Sequence, residues 1–451
     1  MTRDQHVDVL AHGLGGSSDL PVPYAFALVG AAWALTITFA VVALAWRRPR
    51  FDPTKPGRPL PDWVTAFVDS RITRWVVAGA ALLFVVWVVL AGILGPQTNN
   101  NALLGVFYVL LWVGLVAVSL IVGPVWRLIS PMRTLYRIVG CARVIRRRNY
   151  PPWLGYRPAA FGLFAFVWLE LASPNSASLT AVRLWLLCYA VLLAAGATVW
   201  GATWFARADP FEVYSMAVSR LSPFRRNPET QRIVIGNPFD HLPSLPIRPG
   251  IVAVLAVLLG STAFDSFSAT AGWRSFADSL ARHATSVPLE VATSFVKTTG
   301  LLMFASVVGV TFSLAAMATG GVDRRQRWAL PGQMAHSLIP IVVGYIFAHY
   351  LTFLVERGQQ TVTQLADPFG RGWNLLGLGN QQVAYILSTH PSVLATIKVG
   401  FVVTGHITAV IAAHDRALRL LPRGHQLTGQ LTMMVVMVGY TFTGLYLLFG
   451  G

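Results

Sequence analysis

The sequence predicts an all-α, polytopic integral membrane protein, a bundle of about ten transmembrane helices with both termini on the outer side of the membrane. Of its 451 residues, 55% are hydrophobic and only 12% are charged. The mean hydropathy of +0.58 lies outside the range of soluble domains. Apolar residues are grouped in ten stretches, and basic residues are concentrated in alternate connections between them. A lipid bilayer is the solvent that fits this pattern.

The ten apolar stretches are the predicted spans. A crossing of the hydrocarbon core takes roughly 20 apolar residues, because an α-helix rises about 1.5 Å per residue. The fourth stretch is short by this rule and ends near Glu170, so a re-entrant or interfacial helix is the alternative there. The stretches are 24–46, 75–94, 103–121, 159–171, 184–205, 251–267, 291–317, 330–354, 393–413 and 431–449.

The distribution of positive charge predicts the orientation of the spans. Cytoplasmic connections retain Lys and Arg, and the ten-span arrangement places 27 of the 35 basic residues on that side. Without the fourth span, the basic residues of the fifth connection would lie outside. Residues 1–23 are then an extracytoplasmic tail, and 24–451 form a single transmembrane domain. The predicted cytoplasmic loops are 47–74, 122–158, 206–250, 318–329 and 414–430.

The excess of 35 Lys and Arg over 18 Asp and Glu has a simple explanation in this topology. In a soluble protein the excess would suggest a nucleic-acid partner. Here the basic residues orient the helices and contact the anionic inner leaflet of a plasma (inner) membrane. Two cytoplasmic segments, SPMRTLY at 130–136 and DPFEVY at 209–214, weakly resemble each other, as internal duplication would predict.

Ionisable residues inside spans are costly in lipid and therefore mark candidate sites. His336 in the eighth stretch and His406 in the ninth are both predicted about 10 Å from the inner membrane surface. His414 and Asp415 follow at the inner mouth. Together these four side chains are predicted to bind a transition metal, copper or zinc, or to relay protons. Structural hydrogen bonding between helices is the alternative.

Haem is not favoured by the histidine spacing. His336 and His349 are 13 residues apart, which is about 220° around an α-helix. The two side chains therefore point in nearly opposite directions, unless a bend at Pro340 and Gly344 rotates one half of the span.

A second polar layer is predicted towards the outer side, where it would form a cavity for a polar or anionic substrate. Lysines near span ends also extend to the interface for purely structural reasons, which is the alternative reading. The residues of this candidate outer cavity are Lys297, His349, Tyr350, Glu356, Lys398 and Asp265.

Several soluble catalytic motifs are missing from the sequence. It contains no GxxxxGK[ST] loop, no GxSxG between a strand and a helix, no HExxH and no CxxC. An ATP-driven pump, a serine hydrolase of that fold and a zincin are therefore unsupported. Ion-coupled or passive transport, metal handling and a membrane-embedded enzyme remain.

Four segments carry a resemblance to a family of actinobacterial membrane proteins. They are AHGLGGSSDLPVPYAFALVG near the start, LLGSTAFDSFS at 258–268, ADPFGRGWNLLG at 366–377 and GHITAVIAAHDRAL at 405–418. Members of the family often carry the name fenitrothion hydrolase, after a membrane-associated organophosphate-degrading activity. The resemblance implies a polytopic plasma-membrane protein and, if hydrolysis is its activity, a metal or base that activates water.

The sequence as a whole favours a transport or metal-handling membrane protein whose seventh to ninth spans enclose a polar path. A membrane-bound, metal-dependent hydrolase acting on organophosphate esters is the alternative. A structural subunit that binds other membrane proteins is the third possibility.

Overall fold

A computed structural model describes residues 19–140, 148–283, 286–379 and 381–449. Most of residues 1–23, the predicted tail, lies outside these ranges. The chain is mostly helical. Among the described residues, nine helices are long and apolar enough to cross a membrane. The prediction of a helix bundle suited to a membrane is therefore confirmed in the length and composition of its helices.

The nine long helices correspond to nine of the ten apolar stretches. Helices α4 and α15 include π-helical or 3₁₀ turns, and a 3₁₀ turn precedes α17. The helices are α1 (Tyr24–Ala45), α3 (Arg71–Leu94), α4 (Ala102–Val122), α8 (Leu179–Trp200), α12 (Ile251–Ser268), α14 (Leu289–Met317), α15 (Arg324–Ala366), α16 (Pro391–Leu420) and α17 (Thr428–Phe449).

Shorter helices lie between the long ones. They are α2 (Asp62–Asp69), α5 (Trp126–Ile129), α6 (Pro131–Val139), α7 (Arg157–Leu171), α9 (Ala202–Ala208), α10 (Pro210–Val218), α11 (Pro238–His241) and α13 (Ala271–His283).

The prediction of an all-α chain with an irregular loop at 206–250 is wrong in one detail. This segment carries two strands, β2 (Phe224–Arg226) and β3 (Ile233–Ile235), which pair in antiparallel fashion with each other. Strand β1 (Arg58–Pro59), from the first predicted loop, pairs with β3. Asn227-Pro228 lies in the turn between β2 and β3, and Asn237-Pro238 follows β3; both prolines are tolerated because they lie outside the strand interiors.

The fourth apolar stretch forms helix α7, which has 15 residues. Its second residue is Pro158, and proline is tolerated in the first turn because the N–H that it lacks would have no acceptor within the helix there. Leu163 and Phe166 are completely buried, and the helix packs against α12. Helix α7 is therefore an interior element of the bundle, although it is shorter than the other candidate spans.

Helix α15 is broken in two places that shape the bundle interior. A 3₁₀ turn, Ala335–Leu338, lies directly before Pro340, which agrees with the predicted bend. Gly344 approaches helix α16 so closely that an added Cβ would lie 2.6 Å from the carbonyl oxygen of Phe401. A π-helical turn at Phe353–Arg357 continues the helix beyond the predicted span, to Ala366.

The two similar segments at 130–136 and 209–214 form matching helix starts. Ser130 caps α6 and Asp209 caps α10, each through its side chain, and a proline follows each cap. Arg133 and Glu212, which lie three residues after the respective caps, form a buried bidentate ion pair with nitrogen–oxygen distances of 2.7 Å. The two segments are thus locally equivalent and bind each other through equivalent positions.

Candidate functional site

A buried cluster of four polar side chains joins helices α12 and α15. The Nε2 atom of His349 lies 2.7 Å from Oδ2 of Asp265, and the hydroxyl of Tyr350 donates to the same oxygen at 2.8 Å. The Oγ atom of Ser266 lies 3.2 Å from Nδ1 of His349. The imidazole of His349 therefore links the carboxylate of Asp265 to the hydroxyl of Ser266. We call these four residues the core cluster.

The cluster is enclosed by the bundle. His349 and Tyr350 are each 1% exposed, and Asp265 is 9% exposed. Asp265 and Ser266 are adjacent in the last turn of α12, so their side chains point about 100° apart. That angle lets one residue contact each ring nitrogen of His349. Buried polar groups are costly unless they are hydrogen-bonded, and this arrangement pairs each of them.

Glu170, at the end of α7, adds a second carboxylate near the cluster. It lies within electrostatic range of both Asp265 and Tyr350. Its Oε2 atom is enclosed and has no hydrogen-bond partner among the described residues. A neighbouring residue of α7, Trp168, donates from Nε1 to Thr298 of α14 at 2.8 Å. Helices α7, α12, α14 and α15 therefore meet at one polar level.

Glu356 and Lys297 belong to the predicted outer cavity but not to the core cluster as defined above. Glu356 accepts hydrogen bonds from the backbone and hydroxyl of Ser388 at 2.9 and 2.6 Å, so it fixes the connection before α16. Lys297 is half-buried on α14. The structure thus brings Asp265, His349 and Tyr350 of the predicted outer layer together, and the outer substrate cavity stays a prediction.

Lys398 is the remaining member, and it is 1% exposed in α16. Because Gly344 packs between Phe401 and Gly405 of the antiparallel α16, His349 and Lys398 lie at about the same level. The Nζ atom of Lys398 has no hydrogen-bond partner among the described residues, and Asp19 lies within electrostatic range. A buried lysine in this position adds positive charge to the polar level.

The predicted inner histidine pair is not at one depth. The ring of His336 lies beside the carbonyl groups of Gln333 and Ala412, whereas His406 packs edge-on against Tyr345 with ring centroids 5.6 Å apart. Ala412 and His406 are six residues apart in α16, about 9 Å along the helix. The equal-depth prediction failed because it counted from the ends of the apolar stretches, which do not determine how far α15 and α16 are displaced along each other.

His414 and Asp415 bind the connection after α1. His414 contacts Oε1 of Gln430 at 2.8 Å and the carbonyl oxygen of Trp46 at 2.9 Å through its two ring nitrogens. Oδ1 of Asp415 accepts from the backbone N–H of Arg50 at 2.5 Å and from Nε1 of Trp46 at 3.2 Å. We call this set the loop latch. A void of about 30 Å³ beside His414 holds little more than a water molecule.

The structure thus does not assemble His336, His406, His414 and Asp415 into one site. Within the described ranges, no group of three or more His, Cys, Asp or Glu side chains is arranged to hold a metal ion. Both ring nitrogens of His414 already have partners, so metal binding there would require the latch to open.

Comparison with protein-family models, curated proteins and solved structures finds no match. The resemblance to fenitrothion hydrolases stays a prediction, and the functional argument depends on geometry alone. That geometry offers a carboxylate, an imidazole and a phenol in direct contact, with a second carboxylate nearby. Such groups hold and transfer protons. Sequence reasoning missed Ser266, whose only signal was its position beside an acidic residue inside a span.

Proposed function

We propose that this protein is a multi-pass plasma-membrane transporter that couples solute movement to protons through its core cluster. The observation that carries the proposal is the shared oxygen of Asp265, which accepts hydrogen bonds from both His349 and Tyr350 in the bundle interior. Intramembrane histidine–carboxylate contacts are typical of proton relays in pumps and transporters.

We also propose the ten-span topology with both termini outside, and the β-sheet supports it. Strand β1 lies between the first and second spans, and β3 lies between α8 and α12. Because the two strands pair, they lie at the same end of the bundle. An even number of crossings must then separate them, which requires α7 to cross in addition to α3, α4 and α8. The loop latch places residues 46–51 and 414–415 at one end in the same way.

The proposed proton step concerns the contact between α12 and α15. Protonation of Asp265 removes the negative charge that His349 and Tyr350 stabilise by donating to one oxygen. The free energy of that contact therefore differs between the two protonation states. A difference of this kind is what allows proton binding to shift a conformational equilibrium. Lys398 and Glu170 add further ionisable side chains at the same level, where a polar or ionic solute would pass.

The proposal is tested with purified protein in proteoliposomes on a solid-supported membrane. Amino acids, carboxylates, inorganic phosphate and divalent cations are perfused in turn, with and without a pH gradient. We expect one class to give a current that the pH gradient increases, and we expect Asp265→Asn to abolish it. The matched control is Asp278→Asn, because Asp278 is exposed on α13. A wild-type current in Asp265→Asn, or no gradient-dependent current with any class, would contradict the proposal.

A second candidate function comes from the order of contacts in the core cluster. Ser266, His349 and Asp265 follow the order of nucleophile, base and orienting acid in serine hydrolases, and the resemblance described above also implies an esterase. This reading replaces a metal centre with a serine nucleophile. A fluorophosphonate probe distinguishes it: labelling of the wild type that is lost in Ser266→Ala favours a hydrolase, and the absence of labelling excludes a serine nucleophile.

A further inference from the structure

A cavity of about 320 Å³ opens beside helix α9, apart from the core cluster. It lies where α9 meets the segment after α4, the start of α7 and the connection before α12. Its polar lining consists of Arg127, Arg133, Arg207, Arg248, Tyr156 and Thr203. Among the described residues, no acidic side chain lines it. We call it the arginine cavity.

Only one of the four arginines has its charge balanced. Arg133 forms the buried ion pair with Glu212. Within the described part of the chain, Arg127, Arg207 and Arg248 form no ion pair. The guanidinium of Arg207 lies 4.9 Å from the ring centroid of Tyr150, a contact that orients the group without neutralising it.

The surroundings of the cavity add to this unbalanced charge. Burial, together with the nearby guanidiniums of Arg133 and Arg127, lowers the pKa of Arg137. Arg248 interacts with the hydroxyl of Tyr156, and both residues line the cavity. Like charges held this close repel one another, and an anion in the cavity would relieve that repulsion.

We propose that the arginine cavity binds a phosphate group. Guanidinium groups present paired N–H donors that match phosphate oxygens, and the hydroxyls of Tyr156 and Thr203 add neutral donors. The volume lies at the lower end of the range for small-molecule sites. In the proposed topology the cavity faces the inner leaflet. The phosphate is then supplied either by an anionic lipid headgroup, for which basic pockets on this side are suited, or by a soluble phosphate.

The test uses the full-length protein and a triple variant, Arg127→Gln, Arg207→Gln and Arg248→Gln. Arg133 is kept, because its removal would leave Glu212 buried without a partner. The matched control is Arg324→Gln, Arg325→Gln and Arg423→Gln, which removes the same charge from exposed positions outside the cavity. Inorganic phosphate binding is measured by calorimetry in detergent at constant ionic strength. Phosphatidylglycerol and cardiolipin retained after delipidation are counted by native mass spectrometry.

Two outcomes support the proposal and identify the source of the phosphate. Phosphate affinity that falls by at least about tenfold in the cavity variant, as expected from lost charged hydrogen bonds, indicates a soluble ligand. Retained anionic lipid that is lost only in the cavity variant indicates a headgroup. If the cavity and control variants match each other in both measurements, the proposal is wrong. A size-exclusion profile like that of the wild type verifies that the variant is folded.

Discussion

The core cluster and the loop latch both combine histidine with aspartate, but they use these residues in opposite ways. In the core cluster, His349 and Asp265 are 84 residues apart in sequence and contact each other directly at 2.7 Å. In the loop latch, His414 and Asp415 are adjacent, and both contact Trp46 after α1; His414 also contacts Gln430, and Asp415 also accepts from the backbone of Arg50. Neighbouring residues of a helix point about 100° apart. The adjacent residues His414 and Asp415 therefore point in different directions, whereas packing of α12 on α15 brings His349 and Asp265 into contact.

The difference assigns separate roles to the two sets. The latch carboxylate accepts backbone and indole N–H groups, which fixes a connection at the basic end of the bundle. The core carboxylate accepts from the imidazole of His349 and the phenol of Tyr350. We therefore expect the loop latch to contribute to stability and the core cluster to take part in proton transfer. The following predictions test this division, beginning with the largest expected effect.

The variant His349→Gln is expected to reduce gradient-driven transport by about 100-fold or more, because a positioned proton-transferring group contributes at least that much. Glutamine retains hydrogen-bonding capacity but does not titrate. Transport currents in proteoliposomes measure the effect, and the apparent melting temperature serves as the control for folding. If His349→Gln transports like the wild type, the proposed functional difference between the core cluster and the loop latch is wrong.

The variant Asp415→Ala is expected to lower the free energy of unfolding by about 2 to 3 kcal/mol, because it leaves buried N–H donors without an acceptor. Asp415→Asn keeps an acceptor oxygen and should lose less. Denaturation in detergent measures both variants. The folded fraction of each should transport normally, and a transport defect without loss of stability would place Asp415 in the functional site.

A third histidine, His241, lies outside the spanning helices and gives a prediction for pH. Burial and the nearby Arg220 and Arg225 lower its pKa to about 3, and Arg220 donates to its Nε2 at 3.1 Å. The unfolded chain, with a pKa near 6.5, binds a proton between these values and the folded chain does not. Stability is therefore lost as the pH falls from about 6.5 towards 3.

The expected loss for His241 is about 1 to 2 kcal/mol between about pH 7 and pH 5. The variant His241→Gln keeps an acceptor for Arg220 and should lose this part of the pH dependence. Melting temperatures of both proteins at the two pH values make the comparison. Equal pH dependence in the two proteins would show that His241 is not held neutral.

The smallest effect is expected for metal content. The loop latch uses both ring nitrogens of His414, so we expect the triple variant His336→Ala, His406→Ala and His414→Ala to contain as much copper and zinc as the wild type. Elemental analysis of detergent-purified protein measures this directly. If the wild type contains stoichiometric metal and the triple variant does not, the predicted inner metal site is supported.

The sequence predicted the membrane bundle well because lipid exposure leaves a strong signal in composition. Nine long helices match apolar stretches, and the bend near Pro340 lies where proline predicts it. The β-sheet was missed because its strands are two or three residues long and come from two distant loops. The extension of α15 to Ala366 was missed because its last two turns are polar.

The site was predicted only in part, for a geometric reason. Burial of an ionisable residue marks Asp265, His349 and Lys398 from sequence, since lipid penalises each of them. Which residues meet depends on the rotation of each helix about its axis. Hydrophobic periodicity predicts that rotation, but the periodicity is weak in helices that are apolar on all sides. His336 and His406 were assigned the same depth by counting from apolar boundaries, and the relative displacement of α15 and α16 along their axes cannot be counted in this way.

The most direct test of the central claim measures protonation of Asp265 itself. Difference infrared spectra of the protein in lipid between about pH 5 and pH 8 report carboxyl groups that gain or lose protons in this range. The proposed proton step predicts a carboxyl band in the wild type that is lost in Asp265→Asn and retained in Asp415→Asn. A band that persists unchanged in Asp265→Asn would contradict the assignment of proton handling to the core cluster.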